Sequence, residues 1–323
     1  MDRHYLRSIG LITDSPDVQT QLTAFSRKWH ASYVPAAKSR WSKDGLKLGA
    51  KPSPVIVWDT AQAELFTAVL PFYSHTQRTK EEQQIDSALG IDRRVFSNLY
   101  VDSRRLHVPG ASVDAGGDML MRHAFLAETS ACCAEAFFQA AKCELEADAR
   151  FIMSLDDPLE VAKYGQGRLH LSDKHMSDLR ALGLEVDQQL YSPNSTSKSK
   201  DGCGCIWRRV PPRRSDWDKI KMDVMLHIIR HKFSASTGAK SPTLAESSFS
   251  ALAETGQVWF PIEHPRPPGD SFWGDGGDGS GFNVLGKCLA QAFLETVGRP
   301  QAKLLKSFEH VCCSSRTVVD YCH

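Results

Sequence analysis

Three polar residues, Glu135, Gln139 and Lys142, stand four and three apart in a run otherwise rich in alanine and phenylalanine. At ~100° per residue of an α-helix, all three fall within one narrow stripe. That stripe lies beside the face carrying Phe138 and Ala141, so a carboxylate and an amine would project together at the edge of an apolar core. Two readings are open. The pair is a solvated ion-pair face, contributing only about 0.2–0.5 kcal/mol. Or it is a reactive pair, since carboxylates and amines perturbed by burial concentrate at functional sites.

A second candidate is the glycine-rich run from Gly269 to Asn283, which carries Asp270, Trp273, Gly274 and Asp275. Glycine lets backbone approach a ligand closely. The run leads into a predicted helix at about Val284, whose free N–H groups would favour phosphate. Trp273 offers a flat face for stacking. The alternative is a mobile glycine loop.

Other patterns carry less. Gly281 to Lys287 follows a P-loop pattern, but Cys288 stands where Ser or Thr is required, and no strand precedes it. His227 and His231 sit four apart without a following glutamate or a third ligand, so they read as structural or surface histidines. Asp275 to Gly279 is like a calcium-binding repeat but occurs once. Cys203 and Cys205 lack a second pair at zinc-finger spacing. The basic residues Arg208, Arg209, Arg213, Arg214, Lys219 and Lys221 read as a solvated loop, with a phosphate backbone as the alternative partner.

The elements that must position these groups are of both kinds. Helices are predicted over residues 130 to about 151, from Asp157-Pro158 to Gly165, from a box-like Ser215-Asp216-Trp217-Asp218 to about Phe233, over 243–254, and over 284–297. On the third of these, Trp217, Ile220, Val224, Met225 and Ile228 share a face. Strands are predicted at 55–58, 65–73, 95–101 and 258–262, and residues 171–214 read as polar, with a surface loop over 192–204. Strands and helices do not alternate as βαβ units, which gives an α+β class.

Composition sets outer bounds. The 323 residues carry a formal net charge of +1, so no global field steers the chain to nucleic acid or an acidic membrane. No run is long and apolar enough to span a bilayer. The nine cysteines are odd in number and several are neighbours, which suits a reducing compartment. The start of the chain is a poor signal peptide, so the expected location is intracellular, cytoplasmic or nuclear, with an organellar presequence as the alternative. The Asn194-Ser195-Thr196 sequon is then expected to be unused.

Taken in order, the segments resemble the NADAR family. They are Pro71-Phe72-Tyr73, Val95 to Tyr100, Glu135 to Lys142, Asp157-Pro158 through Gly167-Arg168, Asp216-Trp217-Asp218 through Lys232-Phe233, Leu252 to Gly256, Glu263, Asp270 with Trp273 to Gly276, and Gly281 to Gly286. The resemblance covers about 65–298, with apparent insertions near 76–92 and 171–214. It implies a compact, mainly helical α+β catalytic domain over 61–300 with a few short strands. Residues 1–60 would be an N-terminal extension and 301–323 a C-terminal tail. One departure stands at Ala136, where the family commonly has His.

The activity that the resemblance implies is N-glycosidase. The bond cut joins ribose C1 to an exocyclic amino nitrogen, in ADP-ribosylated guanine or in phosphorylated ribosylamino-pyrimidine intermediates of riboflavin synthesis. Insertions and the basic segment favour the guanine substrate, free or in DNA or RNA; a module that binds ADP-ribose without cutting is the non-enzyme alternative. Lys142 is then the expected nucleophile, forming a Schiff base with the opened sugar, which requires its amine uncharged. Asp270 and Glu135 would share proton transfers. Asn98, Gln139 and Gly274 would contact substrate, Trp217 and Trp273 would frame the base, Arg168 would pair with phosphate, and Asn283 would hold ribose or phosphate. No metal or cofactor is required, and the sequence sets no oligomeric state.

Overall fold

A computed structural model describes residues 68–72, 83, 86–87, 89–109, 120–190, 205–234, 242–254, 259–263, 270, 272–274 and 283–296. The expected strand at 55–58, the loop at 192–204, the residues 275–282, and the extension and tail lie outside the described residues. In chain order the described elements are β1 (Ala68–Phe72), a 3-10 turn (Arg93–Phe96), β2 (Leu106–His107), a second 3-10 turn (Ala124–Glu128), β3 (Ser130–Ala131), α1 (Ala134–Lys142), α2 (Glu146–Ser154), α3 (Pro158–Gly165), α4 (Asp173–Ala181), β4 (Asp187–Leu190), β5 (Cys205–Arg208), α5 (Trp217–Phe233), α6 (Leu244–Glu254), β6 (Trp259–Glu263) and α7 (Val284–Thr296). The class is α+β, with helices dominant and strands short. Residue contacts divide the chain into two units, one running from Arg104 to His231 and the other formed by the described residues up to Ser103 and from Lys232 onward.

In the discontinuous unit, β1 and β6 pair in parallel, with Leu70 opposite Pro261. An aromatic column fills the core. Phe96 stacks on Phe233 at 5.6 Å, Phe233 on Phe249 at 4.0 Å, and Phe249 meets Phe293 edge-on at 5.4 Å. The segment expected as a strand at 95–101 is a 3-10 turn followed by turns. Asp92 caps it by accepting from the Arg94 N–H, and a buried Asp86–Arg93 ion pair anchors it. Val95 and Phe96 are both fully buried, a pattern that a half-buried strand with alternating faces cannot give. α6 opens on a capping box: Thr243 Oγ1 accepts from the Glu246 N–H and the Glu246 carboxylate accepts from the Thr243 N–H. Asp102 adds a second cap, accepting from the N–H groups of Leu244 and Ala245.

The contiguous unit is built on α1, against which α2 and α3 pack. The single helix expected over 130–151 is two helices. Cys143 turns extended, bridges to Arg213, and the Glu144 N–H donates to Pro212 O at 2.8 Å. Pairing with a distant strand-like segment therefore overrides local helix propensity, and Leu145, expected to face inward, is exposed. α3 follows the sequence signal: Asp157 accepts from the Leu159 N–H and Pro158 stands in the first turn. The apolar face of α5 is also as expected, with Trp217, Ile220, Val224, Met225 and Ile228 all buried.

Residues 171–190 and 205–214 are more ordered than a polar insertion suggests. α4 starts from a Ser172–His175 capping box and β4 pairs antiparallel with β5. Two of the basic residues read as a solvated loop are internal braces. Arg209 grips fully buried Asp148 through both carboxylate oxygens, at 2.6 and 2.7 Å, while the Tyr164 hydroxyl donates to the same carboxylate at 2.6 Å. Arg214 is buried, grips Asp216 at 2.6 and 2.7 Å, and donates to Leu120 O. Arg213 and Lys221 both pair with Asp218. Asp216 and Asp218 thus serve ion pairs rather than the box expected at Ser215.

Candidate active site

The stripe on α1 forms. Gln139 Nε2 donates to Glu135 Oε1 at 2.7 Å, and Lys142 Nζ donates to Gly165 O at 2.5 Å. Gln139 is 4 % exposed, and its Oε1 finds no hydrogen-bond partner among the described residues. Glu135 and Lys142 are half-buried. The stripe therefore sits at the edge of the core, as its place beside the Phe138 and Ala141 face requires. Ala136, where the resemblance would put His, is buried within α1.

Gly165 explains how α3 comes this close. A Cβ built there would lie 2.1 Å from Gln139 Oε1 and 2.5 Å from its Cδ. Only a residue without a side chain lets the amide lie on this turn and brings the Gly165 carbonyl to the Lys142 amine. Gly167 then ends α3 in the left-handed region at φ +68°. Its N–H donates to Tyr164 O and the Arg168 N–H to Lys163 O, the paired bonds of a Schellman stop. Arg168 leaves this stop exposed, with its guanidinium carrying no partner among the described residues. An exposed guanidinium beside a glycine turn suits a phosphate.

Trp217 is placed differently from expectation. It is 4 % exposed and packs on Phe138 at 4.8 Å with the rings tilted 59°. In this structure it supports the back of α1 and offers no open face for a base.

The remaining predicted residues belong to the discontinuous unit. Asp270 is exposed, and its Oδ1 accepts from the N–H groups of Phe272 and Trp273 at 2.8 and 2.7 Å. Trp273 is half-buried and meets Phe272 edge-on at 5.0 Å. The turn they make caps α7: Asn283 N–H donates to Gly274 O, Val284 N–H to Phe272 O, and Leu285 N–H to Trp273 O. The N–H groups expected to receive phosphate at this helix start are therefore already bound. Asn283, at φ +48°, is 1 % exposed; its Oδ1 accepts from the Glu263 N–H and its Nδ2 donates to Pro261 O. Both ends of that amide are committed to β6, so it locks the strand to the helix. Asn98 is buried, and its Oδ1 has no hydrogen-bond partner among the described residues.

One polar residue of this unit escaped the sequence reading. Lys232 is 7 % exposed, donates to Ser97 O at 2.7 Å, and lies 5.8 Å from the Tyr100 ring centre. Its signal was available, since Lys232 falls three and four residues after Ile229 and Ile228 on the apolar stripe of α5. Among the described residues no group of three His, Cys, Asp or Glu side chains is placed to hold a metal ion. Nor is any helix among them long and apolar enough to cross a membrane.

With its α+β fold and the carboxylate–amide–amine stripe closed by a glycine turn, the chain is similar to proteins named N-glycosidase and riboflavin biosynthesis protein, which are NADAR family members. No family model matches it. Among curated proteins it is 31% identical over 128 residues to N-glycosidase YbiA of Shigella boydii, covering 40% of this chain and 64% of that protein. It is 40% identical over 77 residues to riboflavin biosynthesis protein VVA0006 of Vibrio vulnificus, covering 24% of this chain and 18% of the relative. The chloroplastic riboflavin biosynthesis protein PYRR of Arabidopsis thaliana is 32% identical over 117 residues, 35% of this chain and 18% of the relative. The chain thus spans less than two thirds of the length of each of these relatives. The NMR structure of Escherichia coli YbiA aligns with 75% of this chain and 88% of its own length, at 20% identity and a TM-score of 0.39.

Proposed function

We propose that the chain is an N-glycosidase that cuts the bond between ribose C1 and an exocyclic amino nitrogen, and that its substrate is ADP-ribosylated guanine, free or in DNA or RNA. The observation that carries the reading is the α1 stripe: Lys142 held on the Gly165 carbonyl beside a Glu135–Gln139 pair at the edge of a core. The match to proteins named N-glycosidase supports the same class of reaction.

In this reading the glycosylamine opens its sugar ring to an imine, and the Lys142 amine exchanges with the base nitrogen to form a Schiff base at C1. Glu135 delivers a proton to the leaving nitrogen and later takes one from water. Gln139 fixes the carboxylate by donating to it. Arg168 receives a phosphate.

Borohydride trapping tests this directly. Reduction during turnover of ADP-ribosylated guanine is expected to leave a sugar adduct on the peptide containing Lys142, and none in Lys142→Ala. Equal trapping in both proteins refutes the Schiff base. The names of the riboflavin-pathway relatives favour a second substrate, phosphorylated ribosylamino-pyrimidines. A side-by-side incubation read by mass spectrometry separates the two, and tight ADP-ribose binding with turnover of neither marks a binding module.

A further inference from the structure

Cys132 and Cys133 are chain neighbours at the start of α1, both buried, with their sulfurs 3.6 Å apart. Cys133 is the cap residue of the helix, extended at φ −155° and ψ 169°, and its side chain makes no capping bond. The Cys132 thiol also lies 3.5 Å from Leu155 O. The two thiols are electrostatically unequal. The contact with the Cys133 sulfur holds the Cys132 thiol below its ordinary range, helped by the Arg105 guanidinium, whereas the same contact and burial push the Cys133 thiol up. Cys132 is also the more exposed of the two, at 6 % against 2 %, so peroxide reaches it first and its neighbour is the thiol that can resolve it.

We propose that Cys132 and Cys133 form a dithiol–disulfide couple, a site of reversible oxidation by hydrogen peroxide at the cap of the helix that bears Glu135 and Lys142. The Cys132 thiolate attacks peroxide, giving a sulfenic acid and releasing one water once protonated. The Cys133 thiol attacks that sulfur, forming the S–S bond and releasing a second water. Two thiols lose two electrons and two hydrogens, and peroxide is reduced to two waters.

The sulfurs must close from 3.6 Å to about 2.05 Å. Neighbouring Cα atoms across a trans peptide are only about 3.8 Å apart, shorter than the usual disulfide span, so the bridge is strained and easily reduced. Closure also acts on the backbone at Cys133, two residues before Glu135.

The test needs no substrate. Cleavage after Arg122 and Lys142 gives one peptide, 123–142, holding both cysteines and no other. The full-length protein is treated with graded hydrogen peroxide, denatured, alkylated with iodoacetamide and digested. The expected peptide is lighter than the dithiol by two hydrogens and unalkylated, and it returns to the doubly alkylated form after dithiothreitol. In Cys133→Ser the same peptide is expected to stop at oxygen adducts on Cys132. A wild-type peptide that stays doubly alkylated while other cysteines of the chain oxidise overturns the proposal, as does one that accumulates oxygen adducts without the bridge. Because the readout is mass, either result stands whatever becomes of the N-glycosidase reading.

Discussion

Replacing Gly165 by alanine isolates the contact on which the stripe depends. The new Cβ would fall 2.1, 2.5 and 2.8 Å from Oε1, Cδ and Cγ of Gln139, well inside van der Waals contact. Gln139 is 4 % exposed and has no solvent to move into. Overpacking of this kind costs about 1–3 kcal/mol. A displaced amide also loses its bond to Glu135, about 0.5–1.5 kcal/mol more. Against this, alanine gains up to about 1 kcal/mol over glycine in a helix. The net expectation is a destabilisation of about 2 kcal/mol. In a Gln139→Ala background the obstruction is gone, so the same Gly165→Ala change is expected to be neutral or stabilising by up to about 1 kcal/mol. Urea unfolding of the four proteins of this cycle, fitted for midpoint and slope, gives both numbers. A loss of the same size in both backgrounds refutes the packing argument and, with it, the reason given for glycine at this position.

Asp148→Asn is expected to destabilise by about 3 kcal/mol in the same assay, because it leaves Arg209 facing a neutral group in a buried network; a loss under about 1 kcal/mol would show the brace to be dispensable. Burial and the nearby Arg230 and His231 lower His227 to about 4 from its ordinary value of about 6.5. Between those values the unfolded chain binds the extra proton, so stability is full above pH 6.5 and falls as the pH drops toward 4. The slope should stay below the ~1.4 kcal/mol per pH unit of a single proton, and His227→Gln should flatten it; an unchanged slope would assign the acid loss elsewhere. Asn283→Ala is expected to cost more than Asn283→Gly, since both lose the two bonds to β6 but only alanine also meets the left-handed backbone at φ +48°. Equal melting temperatures for the two variants would contradict that.

Much of this site was legible because its determinants are local. The four-and-three spacing of Glu135, Gln139 and Lys142 depends only on helix geometry, and the start of α3 on the Asp157-Pro158 cap. The buried face of α5 followed from its period. What was hidden depends on contacts distant in the chain. Nothing near Cys143 says that it bridges to Arg213, so one long helix was the natural reading of what are two. Nothing near Arg209 says that it reaches Asp148, 61 residues earlier. Glycine at 165 signals a helix end in sequence, whereas its meaning here is the amide it lets in. Asn283 and the turn from Asp270 looked like ligand-facing groups because glycine-rich runs before helices often are. Their polar atoms instead find backbone partners that no spacing rule names. Trp217 was read for its ring, but its period along α5 already assigned it to the core.

The parallel pairing of β1 with β6 has a consequence for how the chain acquires its shape. The partners are about 190 residues apart, so closing that ladder carries a large entropic cost and must come late. The unit from Arg104 to His231 is contiguous and has no such wait. During synthesis it can fold as soon as it has emerged, while Leu70 and Phe72 stay without a partner until Trp259–Glu263 follows. A nascent chain whose residues up to Glu254 have left the ribosome would therefore hold one contiguous unit free to fold and one unsatisfied strand, and that interval is when it most needs a chaperone.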